Sequence, residues 1–505
     1  MAFLIGIDAG TTNVKAVLFD LKGNEKKVVY RKNEPIYFST SHVEQDMNVL
    51  WEKVLECLTE LVQNYDKDEI LGISLSGQGE GCWLVDENGE PVSHSYLWND
   101  GRAKDLVNEI FADEEMYRSI FETTGTQPLT GTALVLLLWS KKYRKKELDR
   151  ADKILFAKDW IRYKLTGKFS LDTTDAGTSL LNIKTLQPAY ELLDKLGLGE
   201  YKHLISDINK PSDIAGSLTK EISEITGLNT TTPVAYGAVD VSLSTMGVGA
   251  VNSGEICTIL GTTCATNIVT HEITPGKENT RFEKHCVDDL YINIQPTMSG
   301  ATNIDWVVEN ISSTKSFDEM DEEISQLKPV PTGVIYHPYL NTAGERSPFF
   351  NTDARSSFFG INSHTKRKDL IKSVYEGIAF SIRDCLEATG QTNGGTIYLA
   401  GGGARSKAWS QIIADVTNKE VKVSEGKEFA AKGAVMMLAV TLGIYKNYNE
   451  AAAAMCRAKA TYKPIKENAN VYNYFSQFYK ELRLSYDALW NKRYRILKEI
   501  GEEMY

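Results

Sequence analysis

Residues 4–20, "LIGIDAGTTNVKAVLFD", set an acid and a Gly-Thr-Thr turn between two apolar strands. Strand-like "FLIGIDA" runs into Gly10-Thr11-Thr12, "VKAVLFD" leaves it, and Lys22-Gly23-Asn24 turns the chain into "KKVVYRK". Three strands joined by tight turns read as an antiparallel meander. Met47, Leu50, Val54, Leu58 and Leu61 then recur at three- and four-residue spacing, which predicts an amphipathic helix over 47–62. "EILGISLS" follows as a buried strand, and "GCWLVDENGEPV" as a hairpin turning at Asn88-Gly89. In the Gly-Thr-Thr turn, glycine lets the backbone approach a phosphate, and the threonines donate hydrogen bonds without adding charge. A carboxylate such as Asp8 at the end of a buried strand is costly unless it is hydrogen-bonded or meets a cation. Magnesium on a nucleotide phosphate, held through water, suits it; a turn-forming Asp is the plainer alternative.

The pattern returns. "GEICTILGTTCATNIV" (254–269) again runs strand, Gly-Thr-Thr, strand. After it come a strand at 290–296, a helix from about 300, a strand at 333–338 and a long helix near 366–390. "TIYLAGGG", a helix from Ser406, a strand near 420 and an alanine-rich helix from about 430 complete the series. Two units that open alike predict a duplicated α/β domain with a cleft between the copies. The expected division falls near residue 250, giving units 1–250 and 251–505, with a helical tail from about 450.

The totals agree with this and exclude much else. A chain of 505 residues exceeds what one core covers, and 42% hydrophobic with 24% charged residues is an ordinary globular balance. A net charge of −11 argues against nucleic acid as a partner. The seven cysteines form no C-x-x-C pair and the seven histidines no H-x-x-x-H pair, so reduced thiols are expected, without a zinc site or disulfide framework. No apolar run reaches membrane-span length and no charged signal-peptide start is present, so the chain reads as cytoplasmic, without a membrane partner.

Competing nucleotide motifs fail. There is no G-x-x-x-x-G-K-[ST], "GVGAVN" (247–252) breaks G-x-G-x-x-G at its last position, and "GISLSG" (72–77) has Ser76 where a nucleophile elbow needs glycine. "IYLAGGGARSKAWSQIIAD" (397–415) is a strand, a triple glycine and a helix: bare backbone against which a base or ribose can lie, beside a helix N-terminus that favours negative charge. Asp240, in the small-residue stretch "TTPVAYGAVDVSLSTMGVGA" (231–250), reads equally as a base for an attacking hydroxyl or as a helix N-cap.

These stretches together resemble the FGGY carbohydrate kinases, in the superfamily of actin and hexokinase. "IGIDAGTTNVKAVLFD" is similar to that family's first phosphate motif, "ILGTT" to its second and "LAGGGARSKAW" to its adenosine motif. Most specific is "SSFFGINSHTKRKDLIKSVYE" (356–376), which fits the family signature. The resemblance implies two RNase H-like domains with ATP and sugar in the cleft between them. It implies a phosphotransferase acting on an alcohol group, with Mg–ATP held by Asp8 and the phosphates by Thr11, Thr12 and Lys15. Gly261, Thr262 and Thr263 would form the opposing loop, Gly401, Gly402, Gly403 and Ser406 the adenosine side, and Asp240 the catalytic base. A homodimer is the family's common state.

On the substrate side, "GQGEG" (77–81) and "LWNDGR" (97–102) resemble segments that grip sugar hydroxyls, which marks Gln78, Glu80, Trp98, Asp100 and Arg102. D-xylulose kinases carry Met-His at Gly79-Glu80, whereas L-xylulose and erythritol kinases look more similar here. The expected acceptor is therefore a small open-chain ketose or polyol of the xylulose, L-xylulose or erythritol class. Glu80 suits two neighbouring hydroxyls, and Gly79 is expected to leave room beside them. Arg102 is either a donor to the sugar or the structural partner of Asp100; Trp98 is either a pocket wall or core. A conformational ATPase or sugar sensor of the same superfamily is the alternative, in which the Gln78/Glu80/Asp100/Arg102 cluster has no evident task.

Overall fold

Alternation along Phe3–Ala9 (β1) sorts its side chains onto two faces. Phe3, Ile5, Ile7 and Ala9 enter one core and Leu4 another, so Asp8 shares the face of Leu4 and Gly6. The structure, a computed structural model, describes residues 2–39, 41–274, 281–314, 316–390 and 394–501. Asn13–Asp20 (β2) pairs antiparallel with β1 and sets Lys15 opposite Asp8, and Glu25–Lys32 (β3) extends the meander. Helix Met47–Val62 (α1) is capped by Asp46, whose carboxylate accepts from the Asn48 and Val49 N–H groups. Its apolar stripe covers the Ile5 face. Ile70–Gly77 (β4) runs parallel to β1 on the other side. Ile214–Ser217 (β5), Pro233–Ala235 (β6) and Ala238–Val239 (β7) complete a sheet of order β5-β6-β4-β1-β2-β3, with β7 pairing further along β4. Helix Asp240–Gly247 (α2) follows β7 directly.

The second sheet repeats the plan. Ile256–Leu260 (β8) and Cys264–Thr270 (β9) are antiparallel across their Gly-Thr-Thr turn, and Arg281–Lys284 (β10) and Tyr291–Thr297 (β11) carry on that side. Helix Arg367–Ala388 (α3) leads to Thr396–Ala400 (β12), parallel to β8. Ser406 then caps Lys407–Thr417 (α4) by accepting from the Trp409 N–H. Glu420–Ser424 (β13) is parallel to β12. Helix Phe429–Thr441 (α5) and the edge strand Ala458–Tyr462 (β14) come next, giving the order β10-β11-β9-β8-β12-β13-β14. The expected helical tail from about 450 is interrupted: a helix over Tyr448–Met455 gives way to the sheet strand β14, and only Lys466–Glu499 (α6) runs on as one helix, burying Tyr472, Tyr479 and Trp490.

Several features depart from the sequence reading. The 83–85 strand of the expected hairpin closes its turn from Asp86 to Glu90 but takes Lys153–Leu155 as sheet partner. Ile335–His337 forms a two-stranded sheet with Ser357–Phe359, apart from the large sheet. The alanine-rich α5, second-half by chain order, packs on α2 and on β1 and β4 of the first sheet. That contact is backbone to backbone: a Cβ on Gly433 would lie 2.0 Å from the Leu243 carbonyl oxygen, and one on Gly247 1.9 Å from that of Phe429. No described helix is long and apolar enough to cross a membrane.

Gly433→Ala is therefore expected to cost about 1–3 kcal/mol by overpacking, read as a lowered midpoint in thermal or denaturant unfolding. Gly402→Ala, where a Cβ meets nothing within 4 Å, is the control and should move the midpoint by no more than about 0.5 kcal/mol.

Candidate active site

Asp8 ends the face of β1 that receives α5. Across the strands it stands opposite Lys15 and Ser76. Its Oδ1 is shielded from solvent with no hydrogen-bond partner among the described residues. Burial pushes its pKa up, and the Lys15 charge opposes this. Lys15 Nζ lies 2.5 Å from Glu428 Oε2, just before α5. The turn beside it is tied from outside: Asn33 Nδ2 donates to the Gly10 carbonyl at 2.9 Å, and the Asn33 N–H to that of Thr12 at 2.8 Å. This leaves Thr12 exposed, as are Thr262 and Thr263 of the second turn. Gly261 is fixed there by accepting from the Ala301 N–H at 2.8 Å. One bare, shielded carboxylate oxygen beside exposed hydroxyls is a donor set that fits a hydrated magnesium.

The structure brings Gln78 and Trp98 to Thr11. The Thr11 hydroxyl donates to Gln78 Oε1 at 2.8 Å and accepts from Trp98 Nε1 at 2.9 Å. Gln78 Nε2 donates to Gln45 Oε1 at 2.9 Å, and Gln45 Nε2 to Asn33 Oδ1 at 2.5 Å. Because Asn33 also holds Gly10, the chain of bonds closes on the turn where it began. Trp98 is 47% exposed, so it is not a core residue. Asp100 and Arg102 are engaged elsewhere: Arg102 Nε donates to Asp100 Oδ1 at 2.8 Å and its Nη2 to Glu44 Oε1 at 2.7 Å, while Asp100 Oδ2 accepts from the Val43 N–H at 2.6 Å. The guanidinium stacks 3.8 Å from the Tyr96 ring centroid.

Glu80 sits in left-handed backbone at φ 63°, a conformation that costs a non-glycine residue about 1–3 kcal/mol and clusters at functional sites. Its Oε1 accepts from Arg281 Nη2 at 2.7 Å. Burial raises its pKa, and the Arg281 charge opposes this. Gly79 leaves no spare room for a substrate: Val239 Cγ2 lies 2.5 Å from where a Cβ would stand, and Asp175 Oδ1 3.2 Å. The space is taken by the chain itself.

Asp240 is the first residue of α2, with Val239 in the capping position. β7 pairs with β4 at Ser76 and Gly77, and β1 pairs with β4 on its other side, so Asp240 and Asp8 flank β4 at the same end of the sheet. Burial and the nearby Asp8 charge push its pKa up to about 7, against the Val241 N–H and Arg281. At the other motif, Gly401 has φ 91° and packs under the Leu260 carbonyl, while Gly402 is open on its surface. Ser406 donates to Asp321 as well as capping α4, so its hydroxyl is occupied on both sides.

Three acidic or basic neighbours escaped the sequence reading. Arg281 and Glu283 come from β10, and Asp175 from a buried cluster behind Gly77–Gly79. There Lys158 Nζ lies 2.7 Å from Asp175 Oδ2 and 3.0 Å from Asp159 Oδ1, and also meets Asp172. Burial raises the Asp175 pKa well above the ordinary range, with Lys158 opposing. In sequence the three acids are spaced apart among basic and hydroxyl residues, so nothing in 159–175 marks the cluster.

Residues 3–247 match the family model described as FGGY family of carbohydrate kinases, N-terminal domain, and residues 256–442 the C-terminal domain of the same family. An erythritol kinase of Brucella abortus (strain 2308) is 30% identical, over 97% of each chain. A xylulose kinase of Staphylococcus xylosus is 28% identical, over 95% of this chain and 100% of its own. The solved structure of a ligand-bound xylulose kinase from Lactobacillus acidophilus superposes with a TM-score of 0.89 at 25% identity, over 97% of this chain and 100% of that one.

The ring of bonds through Gln45 gives a direct test of the geometry. Gln45→Leu strands the buried Gln78 Nε2 and Asn33 Oδ1, at an expected cost of about 1–3 kcal/mol, measurable as a lowered unfolding midpoint.

Proposed function

This chain belongs to the FGGY family of carbohydrate kinases, enzymes that phosphorylate a sugar or polyol with ATP, and we propose that its acceptor is a small open-chain polyol or ketose, phosphorylated at a terminal hydroxyl. The observation that carries the reading is the pair Asp8 and Asp240, on either side of β4 at the end of the first sheet beside a Gly-Thr-Thr turn. An erythritol kinase and xylulose kinases among the relatives support the acceptor class. The conformational ATPase and sensor readings gain no support from the comparisons.

In the proposed mechanism the units divide near residue 250, and the cleft takes ATP between the two turns. The N–H groups and hydroxyls of Gly10–Thr12 and Gly261–Thr263 hold the phosphates, and Lys15 exchanges Glu428 for a phosphate oxygen. The adenosine lies over Gly402, on a loop that Ser406 anchors to α4. Asp8 would hold magnesium through water; the bound ion neutralises charge on the phosphate oxygens. Gln78, Glu80 and Trp98 orient the polyol, while Asp100 and Arg102 brace the loop that carries Trp98. Asp240 accepts the proton of the attacking hydroxyl, a task served well by a base whose pKa lies near working pH. Free thiols, six of the seven buried, suit a cytoplasmic enzyme.

Asp240→Asn is expected to lower turnover about 10²–10⁴-fold with acceptor binding retained; near-normal turnover would sink its role as base. Since Asp240 must be ionised to act, and burial and Asp8 hold its pKa at about 7, kcat/KM for the acceptor should rise with pH through about that value. A rise centred near pH 4, where ordinary carboxylates ionise, would contradict the placement.

A further inference from the structure

β10 carries Arg281 and Glu283 from the second half of the chain to the wall of the first. Its backbone docks there: the Phe282 N–H donates to the Gly125 carbonyl at 3.0 Å, and the Thr126 hydroxyl to that of Phe282 at 3.3 Å. Strand alternation buries Phe282 on one face and sends Arg281 and Glu283 to the other. Arg281 there reaches Glu80 across 201 positions of sequence. Glu283 is 1% exposed, and burial raises its pKa well above the ordinary range, with Asp175, Asp240 and Glu80 adding to the effect and Arg281 opposing it.

Four polar atoms here are buried without a hydrogen-bond partner among the described residues: Glu80 Oε2, Glu283 Oε1, Arg281 Nε and Asp175 Oδ1. One such atom costs about 1–3 kcal/mol. Four of them, from three distant segments in one electrostatic neighbourhood, are groups that a hydrogen-bonding guest would satisfy. The set is mixed: Arg281 Nε only donates, the Glu80 and Glu283 carboxyls accept, and burial favours in both the protonated form that also donates. Hydroxyl groups match this set because each donates and accepts. A carboxylate does not: it only accepts, and its charge would come against Glu80.

We propose that Arg281 and Glu283, together with Glu80, bind the hydroxyls at the end of the acceptor remote from the one phosphorylated, and so select neutral polyols and ketoses over aldonic acids. The inference rests on the kinase reading above. It makes the acceptor site a joint product of both halves of the chain, with Asp240 at one end of the polyol and the Glu80–Arg281–Glu283 group at the other. These two β10 residues are specificity determinants, and the transferred phosphoryl group never meets them.

The test compares erythritol and D-xylulose with butane-1,2,3-triol and 1-deoxy-D-xylulose, their analogues lacking the far terminal hydroxyl. For whichever parent the wild type accepts, the analogue should show a KM about tenfold or more higher, the worth of one good hydrogen bond to a buried polar group. Glu283→Leu should raise KM for the parent by a similar factor at unchanged KM for ATP, barely change it for the analogue, and have most of its loss recovered by Glu283→Gln. D-gluconate should be a poor acceptor. Equal KM for parent and analogue in the wild type, additive losses in Glu283→Leu, or gluconate turnover matching the polyol would each overturn the inference while the kinase reading stands. If Glu283→Leu does not fold, the wild-type comparison alone decides. Failure of the wild type to phosphorylate any polyol or ketose would overturn both.

Discussion

Helices α2 and α5 touch backbone to backbone, and the placement of Asp8, Asp240 and Glu428 depends on that contact. Gly247 and Gly433 remove the side chains that would hold the helices apart. The first result is position: α2 presents Asp240 at its start, and Glu428 stands just ahead of α5. Both helices lie on the face of β1 to which Asp8 belongs. The second result is connection, since α5 comes from the second half of the chain and packs on the sheet of the first. The helix contact thus ties the two halves of the chain together beside Asp8 and Asp240.

Around that unit the electrostatics are set by a surplus of carboxyls in poorly solvated surroundings. Asp8, Glu80, Asp175, Asp240 and Glu283 all have raised pKa values with burial as the largest cause. Lys15, Lys158 and Arg281 are the cations that offset them. For Asp240 the helix N-terminus favours the ionised form, but burial and the Asp8 charge outweigh it. Bringing a cation to Asp8 would relieve one of those charges. In the proposed mechanism a magnesium ion at Asp8 would thereby lower the Asp240 pKa and favour its ionised form.

Much of this was legible in the chain. The apolar run "FLIGIDA" ending at an acid reads as the first strand, and the period of 3.6 in 47–62 gives α1. The two Gly-Thr-Thr turns mark the heads of two sheets in each of which the first strand lies between its antiparallel successor and a later parallel strand. Contacts made over long sequence distance were not legible. Arg281 meets Glu80 through a short strand with no distinctive pattern, and Lys158 gathers Asp159, Asp172 and Asp175 from separate elements. Gly79 misled for a different reason: a missing side chain reads as open space, but sequence cannot show that Val239 fills it. Trp98 was left open between core and wall because an indole suits both; only the bond to Thr11 and its exposure decide.

The central claim, that the cleft spends ATP on a polyol or ketose hydroxyl, is tested most directly by ADP release from Mg–ATP across erythritol, D-xylulose, L-xylulose, glycerol, ribitol and D-ribulose. The account predicts that at least one raises the rate far above the rate without sugar, with one phosphorylated product formed per ADP. A rate indifferent to every acceptor, with ATP still bound, would contradict it.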